Sequence, residues 1–549
     1  MMDYEEPIRE RERVEIYLSC SDLKCGKVKS YAVIHYAEKN EKFKIYGETE
    51  TISDSANPSF TKPIMLEYRF EQRQDIGIEL FNARSKEKIG ETAFMLGKLI
   101  ASPNQTFTHD LFVPGTKSTI GKCTFRFEVM DLGSSDGKIL RASATSLYDP
   151  SSKGFLCFGS RGTCNPVLRF YREGENGTWT RTHETNHVNK NRDPRWSPFF
   201  TSEGKLCSGT QRKIRIEAIS KDKGSERLIG ECVFSYSDLK LDSAQKFKLK
   251  NDAKRIQEAG TVEITLQSEI KFSSYLKAGL KFNTIVGVDF TETNKTQKLH
   301  NISDLAQNEY QKTLKNVCDI LLNYDPNRRI HMHGFGGVPN YPNYKKPSVS
   351  HCFPCTGNQD AEMVTDLKEL MKAYQFAVDN VTPLGPRHFS EIVAKAMETA
   401  KTSKQKGSKE YTILLMITDG IPDDIDETLD LMVQSSYLPL SIIIVGVGVA
   451  NFGKMAQFDG NQLISKKGYR PERKLVQFVP FSKFKANPEE LASEVLREIP
   501  DQFLQYMLSQ RLTPEELQGE GVIPSKNNAK SNEKELVIKT TTSERMNQI

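Results

Sequence analysis

The stretch Phe282-Asn-Thr-Ile-Val-Gly-Val-Asp-Phe-Thr-Glu-Thr-Asn294 sets an apolar run against an acid and two hydroxyls. Ile285, Val286 and Val288 are β-branched, the composition of a strand covered on both faces in a parallel sheet. Asp289, Thr291 and Thr293 follow at alternate positions. Three hard oxygen donors therefore leave the carboxyl end of the strand, the edge at which open α/β sheets bind ligands. A second run, Thr412-Ile-Leu-Leu-Met-Ile-Thr-Asp-Gly420, delivers Asp419 to the same edge, with Gly420 read as free to take a sharp turn. Two carboxylates and two hydroxyls suit a hard divalent cation, Mg²⁺ or Mn²⁺. An acid just past a strand also serves as the N-cap of the next helix. The Asp-x-Thr-x-Thr spacing together with a separate Thr-Asp-Gly strand end favours a site of metal-binding descent, which is not the same as occupancy.

The 549 residues are enough for about three or four domains of ordinary size. With 76 basic against 71 acidic residues the net charge is +5, so there is no global nucleic-acid signature and any electrostatic partner must meet a local patch. The ten cysteines are scattered. With no leader-like start and no apolar stretch near the ~20 residues of a membrane span, a cytoplasmic chain with reduced thiols is expected.

Residues 9–270 alternate apolar and polar in short runs broken by Gly, Pro, Asn and Ser, the pattern of all-β domains. An internal repeat divides them. Asn57-Pro-Ser-Phe60 is echoed by Asp193-Pro-Arg-Trp196, and Ile89-Gly-Glu-Thr-Ala-Phe94 by Ile229-Gly-Glu-Cys-Val-Phe234. Each copy spans roughly 120 to 130 residues, the size of an eight-stranded sandwich. The expected organisation is 9–132 and 138–270 as two sandwiches joined by a polar hinge at 133–137, an α/β domain over 281–509, and a disordered tail over 514–549. In the α/β domain, helices are expected over 304–324 and 361–381 and from Phe389 and Glu489, alternating with strands at 412–417, 441–447 and 475–479. That order makes a doubly wound sheet. Residues 334–358, rich in Pro and Asn, read as an irregular surface excursion. Within them His351-Cys-Phe-Pro-Cys355 is half a zinc site at most.

The Asn-Pro-x-Phe/Trp turn, the Ile-Gly-Glu run and the tandem arrangement resemble C2 domains, β-sandwiches that dock on lipid head groups through loops at one end. The third unit resembles a von Willebrand factor A domain, whose metal-ion-dependent adhesion site begins Asp-x-Ser-x-Ser. Two C2 modules followed by such a domain resemble the copine family. The match runs through Val286-Gly-Val-Asp-Phe-Thr-Glu-Thr-Asn294, Gly334-Phe-Gly336, Ile417-Thr-Asp-Gly420, Ser441-Ile-Ile-Ile-Val-Gly-Val-Gly448, Leu475-Val-Gln-Phe-Val-Pro-Phe481 and Glu498-Ile-Pro-Asp-Gln502.

The resemblance implies Ca²⁺ at the C2 tips, but the expected ligands are largely missing. Ca²⁺ takes about six to eight oxygens, many of them charged. In the first module Tyr31 stands where the family's Ser-Asp-Pro acid belongs, and Asn82 and Arg84 replace an Asp-x-Asp pair. In the second, Asn165 precedes Pro166 and Ile219-Ser-Lys-Asp-Lys223 replaces the aspartate loop, leaving Asp149 and Asp222 nearby. Weak or no calcium binding is expected. Basic residues stand there instead: Lys24, Lys27, Lys29, Arg84, Lys86 and Lys88 in the first module, Lys221, Lys223 and Arg227 in the second. Held near an anionic leaflet, each contributes on the order of 1 kcal/mol, sensitive to salt. The alternative is that they are solvated loop residues that keep the protein soluble.

In the A-type domain the expected metal ligands are Asp289, Thr291, Thr293 and Asp419. The family's remaining hydroxyl comes from a loop of the form Gly-Pro-Thr-Asn-Phe, which here reads Gly385-Pro-Arg-His-Phe389. A guanidinium cannot ligate a cation, having five donors and no acceptor. Arg387 either pairs with Asp289 and Asp419 in the cation's stead or swings out to leave a water in the ligand position. At ~4 Å and an effective dielectric near 20, a charge pair interacts by roughly 4 kcal/mol before desolvation.

The function expected from the resemblance is a non-enzymatic adaptor, peripheral to the plasma membrane. It would bind anionic phospholipid through its C2 domains and protein partners through its A domain, with oligomeric state left open. The alternatives are a soluble scaffold without lipid or metal binding and a Mg²⁺-dependent hydrolase. Against the last, there is no Walker-type phosphate loop and no nucleophile elbow.

Overall fold

The computed structural model describes residues 12–38, 41–102, 105–129, 137–150, 164–173, 178–207, 213–222, 225–268, 270–302, 306–342, 348–358, 363–407, 409–458, 463–510 and 512–518. The opening strand Glu12–Ser21 turns Val14, Ile16, Leu18 and Cys20 inward at every second position, and Gln74–Asn82 does the same with Ile76, Ile78 and Leu80. Among the described residues nine strands, one more than expected, close around this core; the extra one is the short Ile52–Ser55, which pairs beside Val28–Glu38. The second sandwich has eight strands among the described residues, around Leu140, Ala142, Phe170, Trp196 and Ile264.

The repeated turn has one physical role in both sandwiches. The side chain of Asn57 accepts from the amide of Asp22 at 2.8 Å, and that of Asp193 accepts from the amide of Ser146 at 2.7 Å. Asp22 and Ser146 each leave the first strand with a positive φ, 56° and 55°. A non-glycine residue there is strained, and the side-chain acceptor holds it in place.

In the α/β domain five parallel strands stand in the order Ile330–Phe335, Lys281–Asp289, Glu410–Thr418, Leu440–Gly446 and Val476–Pro480. Ile285, Leu414, Met416, Ile442 and Ile444 meet Ser390–Gln405 and Ile425–Ser435 on one face. Val286, Val288, Leu415 and Ile443 meet Glu309–Leu321, Leu367–Asn380 and Pro488–Leu496 on the other. The doubly wound sheet expected from the sequence is therefore present. Glu309–Leu321 begins later than expected because Asn308 and Gln311 close a capping box there, and Leu367–Asn380 begins where Asp366 caps the amide of Glu369. The chain leaves Lys281–Asp289 to one side first and returns to the other, so Asp289 and Asp419 end adjacent strands at the topological switch point.

Two expectations are corrected. Residues 334–358 are not a surface excursion in their described part: Gly337–Pro339 and Phe353–Pro354 form short strands, and Tyr341, Phe353 and Cys355 are buried. The ring of Phe353 packs 5.9 Å from that of Phe290, which pulls the segment onto the sheet edge. The chain also stays ordered past residue 514, where Pro514–Gln518 is a short helix with Leu512 and Leu517 against the core. Residues 519–549, and the hinge at 133–137 up to residue 136, lie outside the described residues.

The first sandwich and the α/β domain share one apolar core. Phe70 of the sandwich packs its ring 4.8 Å from Tyr324, 5.1 Å from Phe272 and 5.6 Å from Phe282. Arg73 pairs with Asp319 across the same junction. The junction lies at the start of Gln74–Asn82 and at the start of Lys281–Asp289, each nine residues long. Each strand carries its far end about 30 Å away. The second sandwich keeps its own core and touches the α/β domain through polar contacts, Ser197 Oγ to Glu472 Oε1 at 2.7 Å and Arg141 to the Leu508 carbonyl at 3.2 Å.

Candidate functional site

Asp289 is fully buried, and its carboxylate is held by the loop it opens. Its Oδ1 accepts from the Thr291 amide at 2.8 Å, the Thr291 hydroxyl at 2.6 Å and Asn294 Nδ2 at 3.1 Å. Its Oδ2 accepts from the Thr418 hydroxyl at 2.6 Å and from Arg387 Nε at 2.7 Å. Burial pushes this carboxyl up, but the Arg387 charge with the bonds from Thr291, Thr418 and Arg387 outweighs it and holds the pKa below the ordinary value.

Asp419 Oδ1 accepts from the Thr293 hydroxyl at 2.9 Å and from Arg387. Its Oδ2 is buried without a hydrogen-bond partner among the described residues. Burial, and then the neighbouring Asp289 charge, push this carboxyl up to about 6 against the pull of Arg387. The two acids of the site thus have opposite tendencies.

Arg387 sits between them, 8% exposed. One terminal nitrogen donates to Asp419, to Thr291 Oγ1 at 3.0 Å and to Thr293 Oγ1 at 2.6 Å, while the other reaches the Ile421 carbonyl at 3.3 Å. The backbone is clamped as well: the Arg387 amide donates to Asp423 Oδ2 at 2.7 Å, and the Asp423 amide returns a bond to the Arg387 carbonyl at 2.7 Å. Of the two orientations open to Arg387, the structure has the inward one.

The site residues expected from sequence, Asp289, Thr291, Thr293 and Asp419, come together around this guanidinium. They do not fit a divalent cation alongside it. The oxygens that would ligate the metal accept from Arg387 instead, and a positive charge occupies the space among them.

Two participants carried no clear signal in the sequence, and a third was read there for its turn alone. Thr418 bonds Asp289, and its place next to Asp419 was the only hint. His300 accepts from the Tyr374 hydroxyl at Nδ1, 2.8 Å, and donates from Nε2 to the Asp289 carbonyl, 2.8 Å. Burial lowers its pKa to about 4, so it is neutral in this tautomer. Gly420 bends the chain just after Asp419, as its turn reading expected, though without a positive φ. A Cβ on it would overlap the Arg387 guanidinium.

At the first C2 tip, residues 22–29 adjoin the hairpin 82–88 through a bond from the Ala83 amide to the Lys29 carbonyl at 2.7 Å. Lys27 is exposed and Lys29 half-buried, and neither makes an ion pair among the described residues. Lys24 donates to the Thr119 carbonyl at 2.7 Å, and Lys86 lies 5.2 Å from the Tyr31 ring centre. Others have their charge answered: Arg84 by Asp54 at 3.1 Å, Lys88 by Glu79 at 2.6 Å and Glu91 at 3.1 Å, Lys221 by Glu184 at 2.5 Å. Arg227 is exposed, and Lys223 lies outside the described residues.

Asp222 accepts from Asn165 Nδ2 at 2.8 Å, and Asp149 is buried. Among the described residues no group of three or more His, Cys, Asp or Glu could hold a metal ion, the Cys352–Cys355 segment included. No helix among them is long and apolar enough to cross a membrane.

A sequence model of the C2 domain matches residues 14–111 and 138–250, and that of the copine family matches residues 298–515. Copine-A of Dictyostelium discoideum is 30% identical over 524 residues, covering 91% of this chain and 85% of that protein. Among solved structures, a stretch of Extended-Synaptotagmin 2 that holds its SMP domain and two C2 domains is 18% identical with a TM-score of 0.18, covering 48% of this chain and 58% of that one. Manganese-loaded Plasmodium vivax TRAP protein is 12% identical with a TM-score of 0.25, covering 38% of this chain and 71% of that one. Both scores are too low to bear on the fold of the whole chain. The identity to Copine-A along nearly the full length, with paired C2 sandwiches ahead of the copine-type α/β domain, shows that the chain belongs to the copine family, a family of lipid-binding adaptors.

Proposed function

We propose that this protein is a calcium-independent peripheral-membrane adaptor: its C2 tips contact anionic phospholipid at the plasma membrane while its A-type domain engages protein partners. The observation that carries this reading is the shared core around Phe70 and Tyr324. Because the junction lies at the starts of Gln74–Asn82 and Lys281–Asp289, the Lys27–Lys29 tip and the Asp289 face each lie a strand's length from it, on one packed body. The scarcity of tip carboxylates and their engagement with Arg84 and Asn165 support independence from Ca²⁺. The hydrolase alternative draws no support from the site, because one guanidinium holds both carboxylates that such chemistry would use.

The test is co-sedimentation of the full chain with phosphatidylserine vesicles. Binding in chelator nearly as strong as in Ca²⁺ is the expected result, weakened by added salt. Binding that appears only when calcium is added would overturn the reading.

A further inference from the structure

We infer that Arg387 is a built-in replacement for the divalent cation of the A-type site, so that this face forms and presents itself without metal and offers no cation to an acidic partner side chain. This does not depend on the membrane reading above.

The observations converge on the guanidinium. It bonds both carboxylates and both hydroxyls expected to ligate the metal, Asp289, Asp419, Thr291 and Thr293. Thr291 donates onward to Asp289 and Thr293 to Asp419, and each accepts from Arg387. Every group in this ring is both held and satisfied, apart from Asp419 Oδ2. Room for the side chain is provided by Gly420, the position at which a Cβ would meet it. The bonds of Asp423, through its carboxylate and its amide, to the Arg387 backbone fix the position from which the side chain reaches in.

The charge balance differs from that of a metal site in a way that decides partner chemistry. A divalent cation between two carboxylates neutralises both and still has a coordination position for an incoming acid. A guanidinium supplies one positive charge for two carboxylates, and its bonds are spent inside the protein. An acidic side chain arriving here meets no open ligand position.

The experiment is Mn²⁺ binding to the full chain, followed by the paramagnetic resonance of free Mn²⁺. The full chain is used because the A-type domain shares its core with the first sandwich. The unmutated protein should hold no tight Mn²⁺ that Asp289→Asn removes. Arg387→Thr should gain one equivalent at micromolar affinity, lost again when Asp289→Asn is added. A tight Mn²⁺ in the unmutated protein that depends on Asp289 overturns the inference without recourse to the threonine variant. So does a folded Arg387→Thr that gains nothing. Should Arg387→Thr fail to fold, its rescue by millimolar Mn²⁺ during refolding supports the replacement, and failure of Mn²⁺ to rescue it counts against.

Discussion

The hydroxyls of Tyr68 and Tyr324 lie 2.6 Å apart, one on the first C2 sandwich and the other on the A-type domain, both buried. A bond of this kind ties the stability of two domains together. Tyr68→Phe leaves the Tyr324 hydroxyl buried without its partner and should cost about 1–3 kcal/mol. Phe70→Ala, which empties the space between Phe272, Phe282 and Tyr324, should cost about 3–5 kcal/mol. Scanning calorimetry of the full chain should show the first sandwich and the A-type domain unfolding together and the second sandwich separately, since its core is its own. Phe70→Ala should move only the shared transition. Three independent transitions would contradict the common core.

The basic residues of the two C2 tips are not equivalent. Lys27 and Lys29 keep their charge unpaired among the described residues, whereas Lys221 is paired with Glu184. Lys27→Glu with Lys29→Glu should remove at least roughly 2 kcal/mol of attraction to anionic vesicles, about thirtyfold in affinity. Lys221→Glu should instead set three acids together with Glu184 and Glu226 and lower the melting temperature of the second sandwich. Vesicle titration and thermal melts of both variants separate the two roles. An equal loss of vesicle affinity in the two would refute the distinction.

Asp419 and His300 pull the pH dependence of stability in opposite directions. Asp419 is raised from 3.8 to about 6, so the folded state binds its proton more tightly, and the stability this lends at low pH is lost as pH rises through about 6. His300 is lowered from 6.5 to about 4, so the stability it lends is present above 6.5 and lost as pH falls toward 4. Each shift of about two units corresponds to roughly 3 kcal/mol, and the windows overlap between about 4 and 6. Asp419→Asn should therefore make the protein more sensitive to acid than the unmutated chain, and His300→Gln less sensitive. Urea melts at neutral and mildly acid pH give both slopes, and the reverse ranking would show the signs to be wrong.

Much of this architecture was legible because strand and turn signals are local. The β-branched run ending at Asp289, the matching run ending at Asp419 and the paired turns at Asn57 and Asp193 each stand within a dozen residues. The arginine in Gly385-Pro-Arg-His-Phe389 was visible as a departure, but its inward orientation follows from Asp423 and Gly420, which the fold brings to it. The shared core was not legible. Tyr68 and Phe70 keep the period-two alternation of any sandwich residue, so nothing in the pattern distinguishes a ring that faces its own core from one that faces the next domain. Residues 334–358 misled for the opposite reason. Their Pro and Asn content marks a loop, yet Phe353 and Cys355 anchor it inside.

Gly420 provides the sharpest check on the arginine's place. A Cβ there would overlap the Arg387 guanidinium, and although a side-chain end can usually move aside, this one would have to give up bonds to Asp289 and Asp419. Gly420→Ala should cost about 1–3 kcal/mol in the unmutated protein, the range for overpacking a filled interior. In an Arg387→Thr background, measured in chelator, the space is open and the same change should cost less than about 0.5 kcal/mol. The two substitutions would then be coupled by about 0.5 kcal/mol or more, as residues in direct contact are. Denaturant unfolding of the four proteins in the cycle measures this directly. Additive effects would mean that Arg387 does not fill the space beside Gly420 in solution, and the metal-free account of this face would fall with it.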